Sequence, residues 1–272
     1  MSASEEAYLS LEEPPRSDHL WRYTPWKRVH PTGNPNEIPD GISTPEISLS
    51  MINGEEASDI SLEMGNAISI PFEGSLVSNS FLSAITNGKA IRITIPENWR
   101  NETPLILDVK PTGGLDAVHI HVETGKFSEA TILTRVQGSS EWLGILRTGH
   151  TGVGSFLQDV FVNKARDGNL MRVDALRLGR DSSVTAGTVS AGSAWTKADI
   201  RYLLDAPGSN LNVLGSLLSA DQMHLDHHIE ISHLAPNTYS RLAWHTACGG
   251  NSTSVGTGTV SYTHLTLPTT TI

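Results

Sequence analysis

Between Ile91 and Gly258 the chain alternates apolar with polar residues in one stretch after another, and no convincing helix interrupts the series. AIRITI, PLILDV, AVHIHVE, ATILTRV, NLMRVDALRL, ADIRYLL, LNVLGSLL, HHIEISH and YSRLAWHTA each show this period of two, as does ISLSMI just upstream. Turn signals such as GG, GSS, RDG and APGS separate them, so a strand recurs every roughly ten to fifteen residues. A run of this kind builds a sandwich, a barrel or a β-solenoid. Many of the turns are not the two-residue Asn-Gly or Asp-Gly type that antiparallel ribbons favour, which tilts the reading toward a solenoid, although no tight consensus repeat is visible.

With 272 residues the chain can form one large β domain or two average ones. A formal net charge of -10 argues against a nucleic-acid partner, because phosphate binding draws on clustered Lys and Arg. No apolar run reaches the length of a membrane helix, and the acidic start MSASEEAYLSLEEPP does not read as a signal peptide. The single cysteine, Cys248, excludes an internal disulfide framework and fits a reducing, cytoplasmic compartment, where the sequons at Asn101 and Asn251 carry no meaning. Cys248 shares strand parity with Leu242 and Trp244 and is expected to be buried as a small apolar residue.

The densest group of chemistry-bearing residues is LDHHIEISHLAP, from Leu225 to Pro236. On a strand, Met223, Leu225, His227, Ile229, Ile231 and His233 share one face and point to the core. His224, Asp226, His228, Glu230 and Ser232 share the other. Neighbours on that polar ladder sit about 6.7 Å apart, so Asp226 and His228 could just share a metal ion. A solvated or interface face is the expected role of the ladder. A second candidate is GGLDAVHIHVETGKFSE, where Gly113, His119 and His121 match the start of the cupin metal motif. Glu123 comes too early and Glu129 too late to complete it. His119, His121 and Glu123 also fall opposite Val118, Ile120 and Val122, as on the outer face of an amphipathic strand. RTGHTGVG, Arg147 to Gly154, lacks the end of a phosphate-binding loop and reads as a turn.

Two short helices are expected ahead of the strands, around Glu5–Glu12 and from Ser17 to just before Pro25, followed by a loop from His30 to Gly41. Residues 1–45 thus form a helical and loop segment, and 46–259 the β core. The Thr-rich, charge-free stretch 260–272 resembles the in-frame translation of a transposase-type sequencing adapter and is set aside as non-native. On that reading the natural protein continues past Thr259; a true terminal strand is the alternative, since VSYTHLTL also alternates.

Several stretches together resemble the SufB/SufD family, the scaffold subunits of the Suf iron–sulfur cluster assembly machine, and SufD-like members in particular. DHLWRYTPWKRV (Asp18 to Val29) is similar to a WRYTP-type segment of SufD amino-terminal regions. The stretch from Ala194 to Val260 resembles the family core, with Asp226, His228 and His233 at the D-x-H-x-x-x-x-H positions and Pro236, Thr238 and Ser240 at the step that follows. The resemblance implies a mainly β protein, a right-handed parallel β-helix with a short helical N-terminal segment. It implies a non-enzymatic scaffold that pairs with a SufB-like subunit and a SufC-like ATPase. No cofactor is held stably by this chain, and an iron–sulfur cluster is handled only transiently at the level of the complex. The family's cluster-building residues and its SufC-docking segment lie beyond Gly258, so none is carried over here, and the chain is expected to be cut short of them. The lack of a cysteine-rich amino-terminal motif favours SufD over SufB. An iron contact at Asp226 or His228 is the one metal hypothesis.

Two other function classes compete. A carbohydrate-active β-helix enzyme needs paired carboxylates along a groove, with aromatic platforms. Its candidates Asp174, Asp181 and Asp199 are scattered, and only 6% of residues are aromatic. A cupin-like metal enzyme would need His119 and His121 to converge inside a closed barrel.

Overall fold

A computed structural model describes residues 1–67 and 76–263. The chain opens with α1 (Ala3–Leu9), a single 3-10 turn (His19–Trp21) and α2 (Trp26–Val29). Strands β1 (Glu46–Met51) and β2 (Ser61–Asn66) and helix α3 (Leu76–Ile85) follow. Thirteen further strands then run without a helix: β3 (Lys89–Ile95), β4 (Leu105–Lys110), β5 (Leu115–Thr124), β6 (Glu129–Gly138), β7 (Trp142–His150), β8 (Phe156–Ala165), β9 (Asn169–Leu178), β10 (Ser183–Ser190), β11 (Trp195–Leu204), β12 (Asn210–Ser219), β13 (His224–His233), β14 (Tyr239–Cys248) and β15 (Thr253–Tyr262).

Odd-numbered strands from β3 to β15 lie side by side in one parallel sheet, and even-numbered strands from β4 to β14 in a second. Each coil contributes one strand to each sheet, which makes a β-solenoid of about six turns. Antiparallel β2 and β1 close the first edges of the eight- and seven-stranded sheets respectively and cover backbone groups that would otherwise be open to pairing. One coil advances the chain by 27 residues between His121 and its neighbour Thr148, and by 29 between Lys197 and Asp226.

The repeat that is not obvious in the strands sits in the corners. Ser128, Ser155, Ser182 and Ser252 each donate to the carbonyl three residues back, of Gly125, Gly152, Gly179 and Gly249. Thr124 and Thr151 donate to Ser155 and Ser182 of the next coil. A Cβ on Gly152 would stand 2.5 Å from the Gly125 carbonyl carbon, and one on Gly179 2.2 Å from the Thr151 oxygen. Stacked corners therefore exclude any side chain there, and a G-x-x-S signature recurs at coil spacing.

Two apolar cores result. The first fills the space between the sheets and includes Val118, Ile120, Ile145, Phe161, Ile200, Val213, Ile229 and Ile231. The second lies on the outside of the eight-stranded sheet, where Tyr8, Trp21, Trp26, Phe81 and Leu82 pack on Trp142, Leu146, Met171 and Val173. Burial along the strands records this difference. In β12, of the seven-stranded sheet, buried and exposed residues alternate, whereas nine consecutive residues of β11 are buried on both faces.

Several expectations need correction. The first helix runs Ala3–Leu9 rather than Glu5–Glu12: a Ser2–Glu5 capping box starts it earlier, and Ser10 is its C-cap. The second is only the turn His19–Trp21, capped by Asp18 and not Ser17, with α2 beginning after Pro25. Helix α3 and strands β2, β7, β8, β10 and β15 were not singled out in the sequence. RTGHTGVG is half strand, since Arg147 to His150 end β7. Cys248 is exposed, not buried: it ends β14, which has a described strand neighbour on one side only. The solenoid also replaces the closed barrel that a cupin-type site would need. β15 runs through Val260 and Ser261 to Tyr262 in register with Ile231 to His233; residues 264–272 of the Thr-rich stretch lie outside the described residues.

Candidate functional site

The polar ladder of β13 does face away from the inner core, but it is not wet. Asp226 and His228 are buried, and the N-terminal segment lies across them. In-register pairing sets Lys197 beside Asp226 and Arg201 beside Glu230, so each cation of β11 meets an anion of β13. Lys197 Nζ donates to Asp226 Oδ2 at 2.8 Å and to the Leu20 carbonyl at 2.6 Å. Thr24 Oγ1 donates to the same carboxylate at 2.6 Å, which leaves the His224 Nε2 as donor to Thr24 at 2.9 Å. Arg201 bonds to both Asp199 and Glu230. Burial raises the Asp199 carboxyl above its usual range and outweighs the adjacent Arg201. Glu230 is held below its usual range, first by the neighbouring His228, whose Nε2 lies 3.8 Å from its Oε2, and then by Arg201. His228 Nδ1 lies 2.9 Å from Thr257 Oγ1, and its ring stands edge-on to His19 at 6.3 Å.

Asp226 and His228 are therefore engaged with Lys197, Thr24 and Thr257. Among the described residues no third His, Cys, Asp or Glu joins them within the reach of one ion. The remaining motif positions do converge. His233, on the opposite parity, lies 2.6 Å from Thr238 Oγ1 through Nδ1 and 2.8 Å from Ser240 Oγ through Nε2, and stacks on Tyr262 at 4.6 Å. This closes the β13–β14 turn, at whose tip Pro236 is exposed and Asn237 takes a positive φ of 56°.

His119 and His121 lie opposite Val118, Ile120 and Val122 as expected, yet both are buried, and Glu123 is half-buried. Burial pushes His119 down to about 4. Both rings reach the Thr148 hydroxyl, each at 2.7 Å.

One constellation escaped the sequence reading. Inside the solenoid, Arg147 donates to Asp174 at 2.9 Å and to Asp159 at 2.5 Å, and Arg172 to Asp174 at 2.5 Å. The Arg172 guanidinium lies 3.9 Å over the Phe161 ring. Burial alone would raise the Asp174 carboxyl, but Arg172 and Arg147 outweigh it and hold it low. The signal was available: Arg172 and Asp174 share parity with Leu170 and Leu176 in NLMRVDALRL, charge on an apolar face. The carboxylates weighed for sugar chemistry do not share a groove. Asp174 points inward, Asp199 pairs in register with Val173 and so points outward, and Asp181 sits in an exposed turn beside Arg180.

A family model described as the SUF system FeS cluster assembly, SufBD core domain, matches residues 109–265. The chain is also 21% identical over 251 residues to an iron-sulfur cluster assembly SufBD family protein of Mycobacterium leprae. That alignment covers 90% of this chain and 62% of the relative, so the chain spans about three-fifths of its length. The matched region runs from the end of β4 to just past β15 and thus takes in nearly the whole stack of parallel coils. This chain belongs to the SufBD core domain family of iron–sulfur cluster assembly.

Proposed function

We propose that the chain is a SufD-like scaffold subunit, without catalysis of its own, that works in the cytoplasm within a complex containing a SufB-like subunit and a SufC-like ATPase. One observation carries this reading: the two stretches most like SufD, Asp18–Val29 and the core around β13, are built against each other. Leu20 receives Lys197, Thr24 bonds to Asp226 and His224, and His19 meets His228. In this reading residues 1–45 are a strap across the outer face of the 46–259 solenoid. The charges of the ladder neutralise one another, so the face supplies rigidity and holds the strap in place. The iron–sulfur cluster is cargo of the complex; this chain contributes a platform and no stable ligand. WRYTP is the feature that favours SufD over SufB. Among the described residues no helix is long and apolar enough to cross a membrane.

Co-expression of the full-length gene product with SufB- and SufC-like partners tests the proposal. Co-elution as one complex that accepts a cluster is expected. A folded protein that elutes alone from both partners sinks it.

A further inference from the structure

We infer that His121, Glu123 and His150 form a binding site for a single divalent first-row transition-metal ion on the outer face of the eight-stranded sheet. The register places Glu123 directly beside His150 and His121 beside Thr148. One ligand atom from each of the three residues lies within 4.8 Å of the others, and this is the one such group of three among the described residues. The site lies on β5 and β7, apart from the polar ladder on β13.

The His121 ring is set as a metal ligand needs to be. It is fully buried, its Nδ1 is fixed at 2.7 Å by Thr148 Oγ1, and its Nε2 points at Glu123 Oε1, 3.0 Å away. A hydrogen bond to the far ring nitrogen is the usual means of orienting a ligating histidine and choosing its tautomer. Thr148 also meets His119 Nε2 at 2.7 Å. A hydroxyl has one proton, so when Thr148 turns its O–H toward one ring it accepts from the other.

Two arrangements satisfy that condition. In the first, His121 Nε2–H donates to Glu123, Thr148 donates to His121, and His119 donates to Thr148. In the second, both bonds to Thr148 run the other way. His121 Nε2 then turns a lone pair toward a carboxylate, and a cation must sit between them. Metal binding thus displaces the Nε2 proton and reverses the chain through Thr148 to His119, whose proton moves to Nδ1, a buried atom without a hydrogen-bond partner, at a cost the metal bonds must exceed. No net proton leaves the three residues.

Two imidazole nitrogens and one carboxylate oxygen suit Zn²⁺, Co²⁺ or Fe²⁺ and not Mg²⁺ or Ca²⁺, which take mostly oxygen. His150 is exposed, so the ion's remaining positions face solvent. The resident competitor is Arg92, whose Nη2 lies 3.3 Å from Glu123 Oε1. Its side chain is 39% exposed.

The untagged 272-residue chain titrated with Co²⁺, followed by its visible absorption and displaced by Zn²⁺, tests this. One equivalent is expected to bind. His150→Ala and Glu123→Gln should each weaken binding by at least about tenfold with unchanged circular dichroism. Arg92→Ala should tighten it, and His245→Ala, at an exposed histidine of β14, should leave it unchanged. His121→Ala removes a buried side chain and can unfold the protein, so His150→Ala at the rim decides. Failure of the wild type to bind either ion stoichiometrically at micromolar concentration overturns the site, as does undiminished binding in both the His150 and Glu123 variants.

Discussion

Lys197 Nζ lies 2.8 Å from Asp226 Oδ2, with both side chains buried beneath the N-terminal segment. The pair joins neighbouring coils, and through Leu20 and Thr24 it also joins the strap to the stack. Removing one partner leaves the other charged and dry, at a cost of about 3 to 5 kcal/mol. Asp226→Ala is therefore expected to lower unfolding free energy by that amount. Lys197→Met with Asp226→Leu should recover most of the loss, as measured by denaturant titration.

The same residue carries a functional prediction. If the ladder is structural, the Asp226→Ala, His228→Ala double variant of a full-length version should still support cluster assembly wherever it folds. Loss of assembly in a protein with wild-type circular dichroism would instead assign the pair an iron contact.

Inside the solenoid, Asp174 balances Arg147 and Arg172. Asp174→Ala leaves Arg147 with Asp159 alone and Arg172 with no carboxylate partner, so we expect a loss of about 3 to 5 kcal/mol. Asp174→Asn should cost less, because it keeps hydrogen-bond acceptance. Equal stability of wild type and Asp174→Ala would show that the network is dispensable.

Stability should fall on mild acidification. Burial depresses His30 and His119 to about 4 and His227 to about 3. The unfolded chain, near 6.5, then binds more protons than the folded one as pH drops. Their contribution is complete above about pH 6.5 and is lost as pH falls toward 4, at roughly 1.4 kcal/mol per unit for each group. Asp199, raised by burial, opposes this trend. Melting temperature should drop between about pH 7 and pH 5, and less steeply in His227→Leu. A flat profile would contradict the buried neutral histidines.

Strands β14 and β15 each have a described neighbour on one side only, and Tyr239, Val260 and Tyr262 are exposed there. Open strand edges beside apolar groups invite pairing with another chain. On its own the 272-residue chain is expected to self-associate in size-exclusion chromatography. A sharp monomeric peak with cooperative melting would contradict this.

Much of the site's layout was legible in the sequence. The parity of HLDHHIEISH correctly placed Leu225, Ile229 and Ile231 inward and Asp226 and His228 outward, and AVHIHVE did the same for β5. What parity could not show was whether the outward face met water. Asp226 meets Thr24, 202 residues earlier in the chain, and no local pattern reports a contact of that range. The corner signature G-x-x-S was present but weak, because two fixed residues per coil are easily lost among varied strand sequences. The inner arginines were missed for a related reason: charge on an apolar parity reads as an interruption until its partners on other coils are known.

By itself, the amino-acid sequence determined that the chain would form strand after strand, and which face of each strand would be apolar. Both follow from a two-residue backbone period that neighbouring residues impose on one another. Tertiary structure alone decided that the polar ladder of β13 is covered, that Lys197 meets Asp226, and that His150 comes to stand beside Glu123. Those contacts depend on coil length, which sets what lies one turn above, and on where the amino-terminal segment finds an apolar surface to bury.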